Sequence, residues 1–460
     1  MTESTPLTPD HYSALERARR KAYWRLLPLL FLCYVIAYVD RTNVSIAKFT
    51  MIRELEGFND AVIGIGFGVF FIGYFILEIP GSLIVERWSA RKWIFRIMIS
   101  WGIMAALTAL VKTPTQFYVV RFLLGLAEAG FFPGVIVYLT HWFTSRDRAR
   151  ALAYFFVATP VAQMVSPKIS NLLLKIGTDE VVNGVTVHHP RLLGMSGWQW
   201  VYVAWGIPAL VLGVAVWFLL TDKPGQAKWL TPEERDALER SLADEKASRK
   251  QAVRMTLWQG LMNPKVLLLA LAYFCIVTGS YGFESFLPSI LQQWYSLQID
   301  AVTWLVILPP IVALFSQLFV AWNSDRTKER RFHAVIPIMV AAVAMALAPL
   351  TQGNLVLTIL CFMVAYGGLK AYLPAFWSLP SLFLAESAAA ASIGLINSVG
   401  NLGGFVGPSV LGLIKHYTGS FVGGIYCLCG MIAMSAVIVF SLGLGNRSGT
   451  TKPAAGAADN

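Results

Sequence analysis

A small set of ionisable side chains lies inside long apolar stretches of this chain: Asp40 and Arg41, Glu78, Arg121 and Glu128, Lys168, Glu284 and Lys370. A charge at the centre of a bilayer costs about 2.5–3.5 kcal/mol on insertion scales, so such residues are functional candidates by default. Arg121, Gly125 and Glu128 stand at i, i+4 and i+7, which puts them on one helical face with about 10 Å of rise between the charges. Gly125 leaves room between them for a partner helix or a ligand. The stripe is expected to line a central cavity; the alternative is an ion pair that holds two helices together. Asp40 and Arg41 are neighbours and point about 100° apart, so one faces the cavity while the other packs toward the Arg121 stripe. A guanidinium matches a carboxylate with two parallel hydrogen bonds and stays charged, which makes Arg121 the first candidate for an anionic substrate, with Arg41 beside it. A carboxyl group in low dielectric takes up a proton more readily than in water, so the buried acids are candidates for proton handling.

Lys370 is a second cation able to hold a second carboxylate; it could equally pair with Glu284 or snorkel. Lys168 lies nearer a helix end, where snorkelling is easier. Asn401 and Asn397 sit one turn apart among glycines and can bond a substrate or a neighbouring helix. Tyr38, Tyr74 and Tyr273 are candidate hydroxyl-bearing wall residues, and Tyr74 shares a face with Glu78. His188 and His189 have no Cys or carboxylate pair at ligand spacing and are read as surface residues, so no metal is expected. The 5 cysteines all fall in apolar stretches without metal spacing and are read as small hydrophobes. There is no P-loop, nucleophile elbow or HExxH, so neither ATP-driven transport nor an enzyme is expected, and no cofactor beyond a coupling proton.

These residues need elements to carry them. The chain has 460 residues, 56% apolar and 14% charged, and mean hydropathy is +0.59, too apolar for a soluble protein of this size. About twelve stretches reach the length of roughly 20 residues that a bilayer crossing requires. They lie near 24–46, 61–84, 93–111, 117–142, 149–176, 199–220, 266–293, 302–322, 332–350, 355–384, 388–415 and 421–444, and are numbered one to twelve below. Lipid-exposed backbone must satisfy its own hydrogen bonds, so these are helices. The first is too long for the apolar core of a signal peptide and is read as a span. The net charge of +11 is not spread evenly. Lys and Arg concentrate in alternate loops, including 17–21, 87–92, 146–150, the central linker and 326–331. That bias puts both termini in the cytoplasm, and without an aromatic-interleaved basic patch it gives no reason to expect nucleic acid.

The expected organisation is a cytoplasmic segment at 1–22, a six-helix bundle at 23–221, a linker at 222–264, a second bundle at 265–445 and a disordered tail at 446–460. The linker should carry an amphipathic surface helix capped by Thr231 with Pro232 at its first position. The halves look duplicated. Glu86-Arg87 matches Asp325-Arg326, Pro133 matches Pro374 and Pro167 matches Pro408, all at an offset of about 240. Parallel repeats put a substrate site between the halves near mid-membrane. Glu86, Arg87, Asp325 and Arg326 fall in cytoplasmic loops and are expected to gate rather than bind.

The loop Glu86-Arg87-Trp88-Ser89-Ala90-Arg91-Lys92 resembles the signature loop of the major facilitator superfamily. Within it, the chain resembles the anion:cation symporter family over nearly its whole length. The carrying segments are Tyr38-Val39-Asp40-Arg41-Thr42-Asn43-Val44, Glu78-Ile79-Pro80-Gly81-Ser82, Arg121-Phe122-Leu123-Leu124-Gly125-Leu126-Ala127-Glu128-Ala129-Gly130, Gly197-Trp198-Gln199-Trp200, Asp222-Lys223-Pro224 and Asn397-Ser398-Val399-Gly400-Asn401-Leu402-Gly403-Gly404. The branch is similar to bacterial tartrate, phthalate and 4-hydroxyphenylacetate permeases. The resemblance implies an all-α membrane protein of two pseudo-symmetric six-helix bundles, monomeric, in the inner membrane of a bacterium. It implies proton-coupled uptake of a small organic anion, with Asp40 and Glu128 as protonation sites and Asn401 near substrate. Tyr273 stands where a sugar-acid carrier would have Gln, which favours a less polar acid. The competing readings are an exporter of the same fold and a membrane sensor. Exporters tend to carry a Gly-rich motif in span five, where this chain has Val165-Ser166-Pro167-Lys168; a sensor should carry a signalling domain, and none is visible.

Overall fold

Apolar runs long enough to cross a bilayer can satisfy their backbone only as helices, and helices are what the computed structural model contains. It describes residues 9–182, 185–249, 262–382 and 386–443. Among these, 10 helical segments are long and apolar enough to cross a membrane by length and composition. Spans five and eleven are also helical, but each is broken in two: Ser145–Phe156 with Ala158–Leu174, and Glu386–Asn401 with Gly403–Thr418. The all-α expectation needs one addition. The loop after span five carries a short antiparallel pair of strands, Asp179–Val182 and Val185–His188. The expected tail at 446–460 and linker residues 250–261 lie outside the described residues.

Helix starts are set by local chemistry. Asn59 caps Asp60–Arg87 by accepting from the Val62 amide at 3.0 Å, and Ser89 caps Ala90–Leu107 through Lys92 at 3.1 Å. Asn263 caps Pro264–Tyr295, with Pro264 at the first position where its missing N–H costs nothing. Each half then closes on its own apolar core, one built from spans one to six and the other from spans seven to twelve.

Several spans are interrupted where they pass the centre. Span one runs Pro9–Thr42, breaks at Asn43 and resumes as Val44–Glu54. Span four runs Pro114–Glu128 and resumes as Phe131–Thr140. Gly130 makes that break possible: its φ of +82° is a conformation side-chain-bearing residues avoid. Pro133 adds to it, because it has no N–H to return to the preceding turn. Span ten runs Leu355–Ala371, then Leu373–Ser378 with Pro374. Irregular backbone at membrane depth survives only where protein or a cavity covers it. Asp40, Arg41, Glu128, Lys370 and Asn401 all lie within three residues of such a break.

The linker helix Pro232–Arg249 is docked rather than free on the surface. Leu230 and Leu238 join the N-terminal core, and Trp229 stacks on Trp142 at 5.2 Å. Thr231 and Glu234 form a reciprocal cap, with the Thr231 amide donating to Glu234 at 3.0 Å and the Glu234 amide to Thr231 Oγ1 at 3.3 Å. Lys21 pairs with Glu234 at 2.8 Å. Burial works to push the Glu234 carboxyl up, but the Lys21 ammonium, the Thr231 amide and Arg17 together hold it below its usual range. Ser89 and the Arg91 amide both donate to Asp222, so the loop after span two is tied to the same face.

The halves meet along span two against span eleven, span seven against Val44–Glu54, and span five against span eight. At the face remote from the termini, Lys168 and Asn171 bond Asp300 at 2.9 and 2.7 Å, and Lys48 donates to the Ser285 carbonyl at 3.2 Å. Among the described residues, polar contacts between the halves run from that face inward as far as Glu78.

Candidate functional site

The break in span one and the break in span four face each other, and this brings Arg41 onto Glu128. The guanidinium donates to Glu128 Oε1 from Nε at 2.6 Å and from Nη2 at 2.5 Å. Glu128 is fully buried, and Arg41 is 8% exposed. Arg41 also lies over the rings of Tyr74 at 4.9 Å and Phe70 at 5.6 Å. The helices come this close because Gly125 has no side chain: a Cβ there would overlap the Phe70 carbonyl oxygen of span two. Of the two uses considered for Gly125, the structure shows the partner helix.

Asp40 turns away from Arg41, as neighbours on a helix must. Its Oδ1 accepts from Asn43 Nδ2 at 3.1 Å, and Trp101 lies beside the carboxyl group. Arg121 is placed differently from the expectation of a cavity wall. It is fully buried, donates from Nε to the Gly66 carbonyl at 3.3 Å and lies against Phe67 and Phe70. These neighbours belong to span two, so Arg121 sits inside the N-terminal bundle, with Asp40 and Glu128 among its nearest acids. The physical reason is the helix face itself: once Gly125 is pressed on span two, the residue one turn earlier follows it inward. Among the described residues, both Nη atoms of Arg121 and Glu128 Oε2 are buried without hydrogen-bond partners, and Asp40 Oδ2 is near Trp101 Nε1. Unmet groups at such density are the mark of a site rather than of a finished core.

A second polar cluster spans the seam between the halves. Lys370 does not face Arg121 here; its Nζ donates to Glu284 Oε1 at 2.6 Å. Glu284 Oε2 accepts from Tyr38 at 3.0 Å and from Gln163 at 2.9 Å, and Tyr366 donates to Gln163. Tyr38 and Gln163 come from the N-terminal half, the others from the C-terminal half. Glu284 belonged to the set of intramembrane charges, but the sequence reading left Gln163 and Tyr366 unremarked. Tyr366 is one turn before Lys370 on the same face, and Gln163 is a lone amide in an apolar run; those were the available signals.

A third cluster joins the halves nearer the terminal face. Asn397, Ser398 and Asn401 all donate to Glu78, Ser398 and Asn401 at 3.2 Å. The two asparagines share a face, as their spacing requires, and in this state their partner is a neighbouring helix. Tyr273 packs between Gly400 and the Phe376 and Trp377 rings, at 5.5 and 4.9 Å from the latter two.

The remaining site residues stay apart from these clusters. Lys168 pairs with Asp300 and lies 4.5 Å from the Trp304 ring. Asp325 pairs with Arg330 at 2.7 Å and Arg326 covers Trp322 at 5.4 Å; Asp325 and Arg326, expected in a loop, instead form the last turn of the helix Leu308–Thr327. The side chains of Glu86 and Arg87 lie outside the described residues. His188 contacts Asp179 at 2.6 Å on the exposed hairpin, and no metal-ligating group occurs among the described residues.

The chain as a whole has relatives in both sequence and fold. A sequence profile of the Major Facilitator Superfamily matches residues 30–408. This chain belongs to that superfamily. It is 42% identical over 426 residues to a putative tartrate transporter of Agrobacterium vitis, covering 93% of this chain and 91% of the relative. It is 36% identical over 423 residues to a quinolone resistance transporter of Acinetobacter baumannii, covering 92% and 93%. The fold matches the partially occluded inward-open xylose transporter XylE of E. coli with a TM-score of 0.72 at 11% identity, over 94% of this chain and all of that one. The protein is therefore a multi-pass membrane transporter of the superfamily, and not an enzyme.

Proposed function

We propose that this transporter imports a small organic anion together with protons, by rocking its two halves about the central site. The observation that carries the reading is the Arg41–Glu128 pair, buried between two helix breaks. Removing one partner of a buried ion pair costs about 3–5 kcal/mol, because a charge is left uncompensated. Arg41 thus requires one anion, and either ionised Glu128 or a substrate carboxylate can supply it. Protonation of Glu128 releases the guanidinium, and the substrate takes its place. Exclusion of that size corresponds to two to nearly four orders of magnitude in affinity, enough to couple the two events. Asp40 is a second proton carrier, and Arg121, buried behind it, positions the acids rather than touching substrate. Asn401, Asn397, Tyr38, Tyr74 and Tyr273 form the walls of the opened site. The substrate class is a sugar acid, dicarboxylate or aromatic carboxylate, in keeping with the name of the tartrate relative.

The reading extends to setting. The chain works as a monomer in a bacterial inner membrane, with both termini in the cytoplasm by the positive-inside rule. With that orientation, contacts at the remote face close the outer side. The gating role of Glu86, Arg87, Asp325 and Arg326 belongs to the opposite, cytoplasmic rim. The quinolone relative favours a second reading, export by the same pair run in the other direction. Proteoliposomes separate them. With an inward proton gradient, labelled tartrate, succinate or benzoate should accumulate and a protonophore should abolish accumulation. Glu128→Gln should retain counterflow exchange and lose accumulation. Accumulation by Glu128→Gln at the wild-type level would refute the coupling, and proton-driven efflux without uptake would favour export.

A further inference from the structure

The proposed reading assigns no role to Glu284, yet this carboxylate is, with Glu78, one of two acids at the seam that accept from three side chains among the described residues. Three donors converge on it: the Lys370 ammonium at 2.6 Å, the Gln163 amide at 2.9 Å and the Tyr38 hydroxyl at 3.0 Å. A cation, an amide and a phenol from both halves are what a bound substrate carboxylate would be offered. Here the protein's own side chain occupies the place. The arrangement repeats the Arg41–Glu128 pair on the other side of the seam, with Lys370 for the arginine and span seven supplying the acid.

We propose that Glu284 is an internal stand-in for a second substrate carboxylate, and that a proton displaces it from Lys370 when a dicarboxylate binds. The inference rests on the Arg41–Glu128 reading and extends it. Charge balances throughout. The empty site holds Arg41, Lys370 and two carboxylates; the loaded site holds the two cations, a dianion and two neutral acids. Each carboxylate that enters thus requires one proton, taken by Glu128 and Glu284 respectively. Glu284 is faced by Tyr38 from span one, Gln163 from span five and Tyr366 and Lys370 from span ten, with Tyr281 and Tyr372 farther off. Lys370 is the only cation that bonds it among the described residues, so Lys370 sets its charge requirement. A cavity of ≈ 50 Å³ adjoins it, lined by Thr42, Ser45, Gln163, Ser166 and Tyr366. Ile46, Pro167, Leu287, Pro288, Val306 and Pro310 complete its lining, and the volume is room for water beside the carboxylate on the polar side. Because Tyr38 and Gln163 belong to the opposite half, neutralising Glu284 also weakens a bond that holds the halves together.

The test is substrate binding to purified protein as a function of pH, with succinate and tartrate as dicarboxylates and benzoate as the monocarboxylate. For wild type, dicarboxylate affinity should fall about 10-fold more per pH unit than benzoate affinity, one proton for the added carboxylate. Glu284→Gln, which keeps the shape of the side chain but removes its charge and one of its two acceptor oxygens, should bring the dicarboxylate slope down to that of benzoate. Lys370→Met should weaken dicarboxylates at least 10-fold more than benzoate, and gives an independent readout should Glu284→Gln fold poorly. An unchanged dicarboxylate slope in Glu284→Gln, or equal losses for both substrate classes in Lys370→Met, would overturn this inference while leaving the Arg41–Glu128 coupling standing. Absence of any pH-linked carboxylate binding by wild type would overturn both.

Discussion

Replacing Arg41 by Gln tests whether the central ion pair is coupled as tightly as its geometry implies. Glu128 is fully buried, and among the described residues Oε1 is bonded to Arg41 alone and Oε2 has no partner. Arg41→Gln therefore leaves a carboxylate with no hydrogen-bonded cation, at a cost of about 3–5 kcal/mol. Arg121 lies close enough to offset part of this, which favours the lower end. At about 2 cal/mol/K of unfolding entropy per residue, a chain of 460 residues loses about 1 °C of melting temperature per kcal/mol, so the expected shift is about 3–5 °C. The decisive variant is the double one. Arg41→Gln with Glu128→Gln removes both charges and leaves two amides able to bond each other. It should melt above the Arg41→Gln single variant by most of that amount, since the coupling term of a double-mutant cycle isolates the pair. The assay is thermal unfolding of detergent-purified protein at pH 7.5, read by intrinsic fluorescence. If the single and double variants melt within 1 °C of each other, Glu128 is not stranded by the loss of Arg41, and the exclusivity on which the coupling rests is wrong.

Two further outcomes follow from the packing. Gly125→Leu puts a side chain on the Phe70 carbonyl, so spans two and four must separate; overpacking of this kind costs about 1–3 kcal/mol, and the yield of folded protein in size-exclusion profiles should drop accordingly. Glu234 is held below its usual range by Lys21, the Thr231 amide and Arg17, so its stabilising share is complete above the ordinary carboxylate range and is lost only as pH falls beneath it. Hydrogen exchange over Pro232–Arg249, corrected for intrinsic rates, should be level from pH 5 to 8 and rise below about pH 4. Loosening already at pH 6 would show that another group holds the helix.

Much of the fold was legible because a membrane leaves few choices. Apolar length specified the spans, and the shared offset of Pro133 with Pro374 pointed to their duplication. The breaks in spans four and ten lie beside those prolines. The linker was legible in part: Thr231 caps its helix as read, but whether that helix floats or docks depends on Trp142 and Lys21, residues far away in the chain.

By itself, the sequence determined which groups had to be exceptional. Asp40, Arg41, Glu78, Arg121, Glu128, Glu284 and Lys370 stand out because hydrocarbon penalises each of them, whatever surrounds it. It could not determine who pairs with whom. Helical periodicity gives directions relative to a helix axis, not the rotation of that helix against its neighbours. Tertiary packing settled that rotation: Gly125 against Phe70 turned Arg121 into the N-terminal bundle and left Arg41 on Glu128. The same packing set Lys370 on Glu284 within the C-terminal half, and both asparagines on Glu78 across a seam whose two sides lie more than 300 residues apart in the chain.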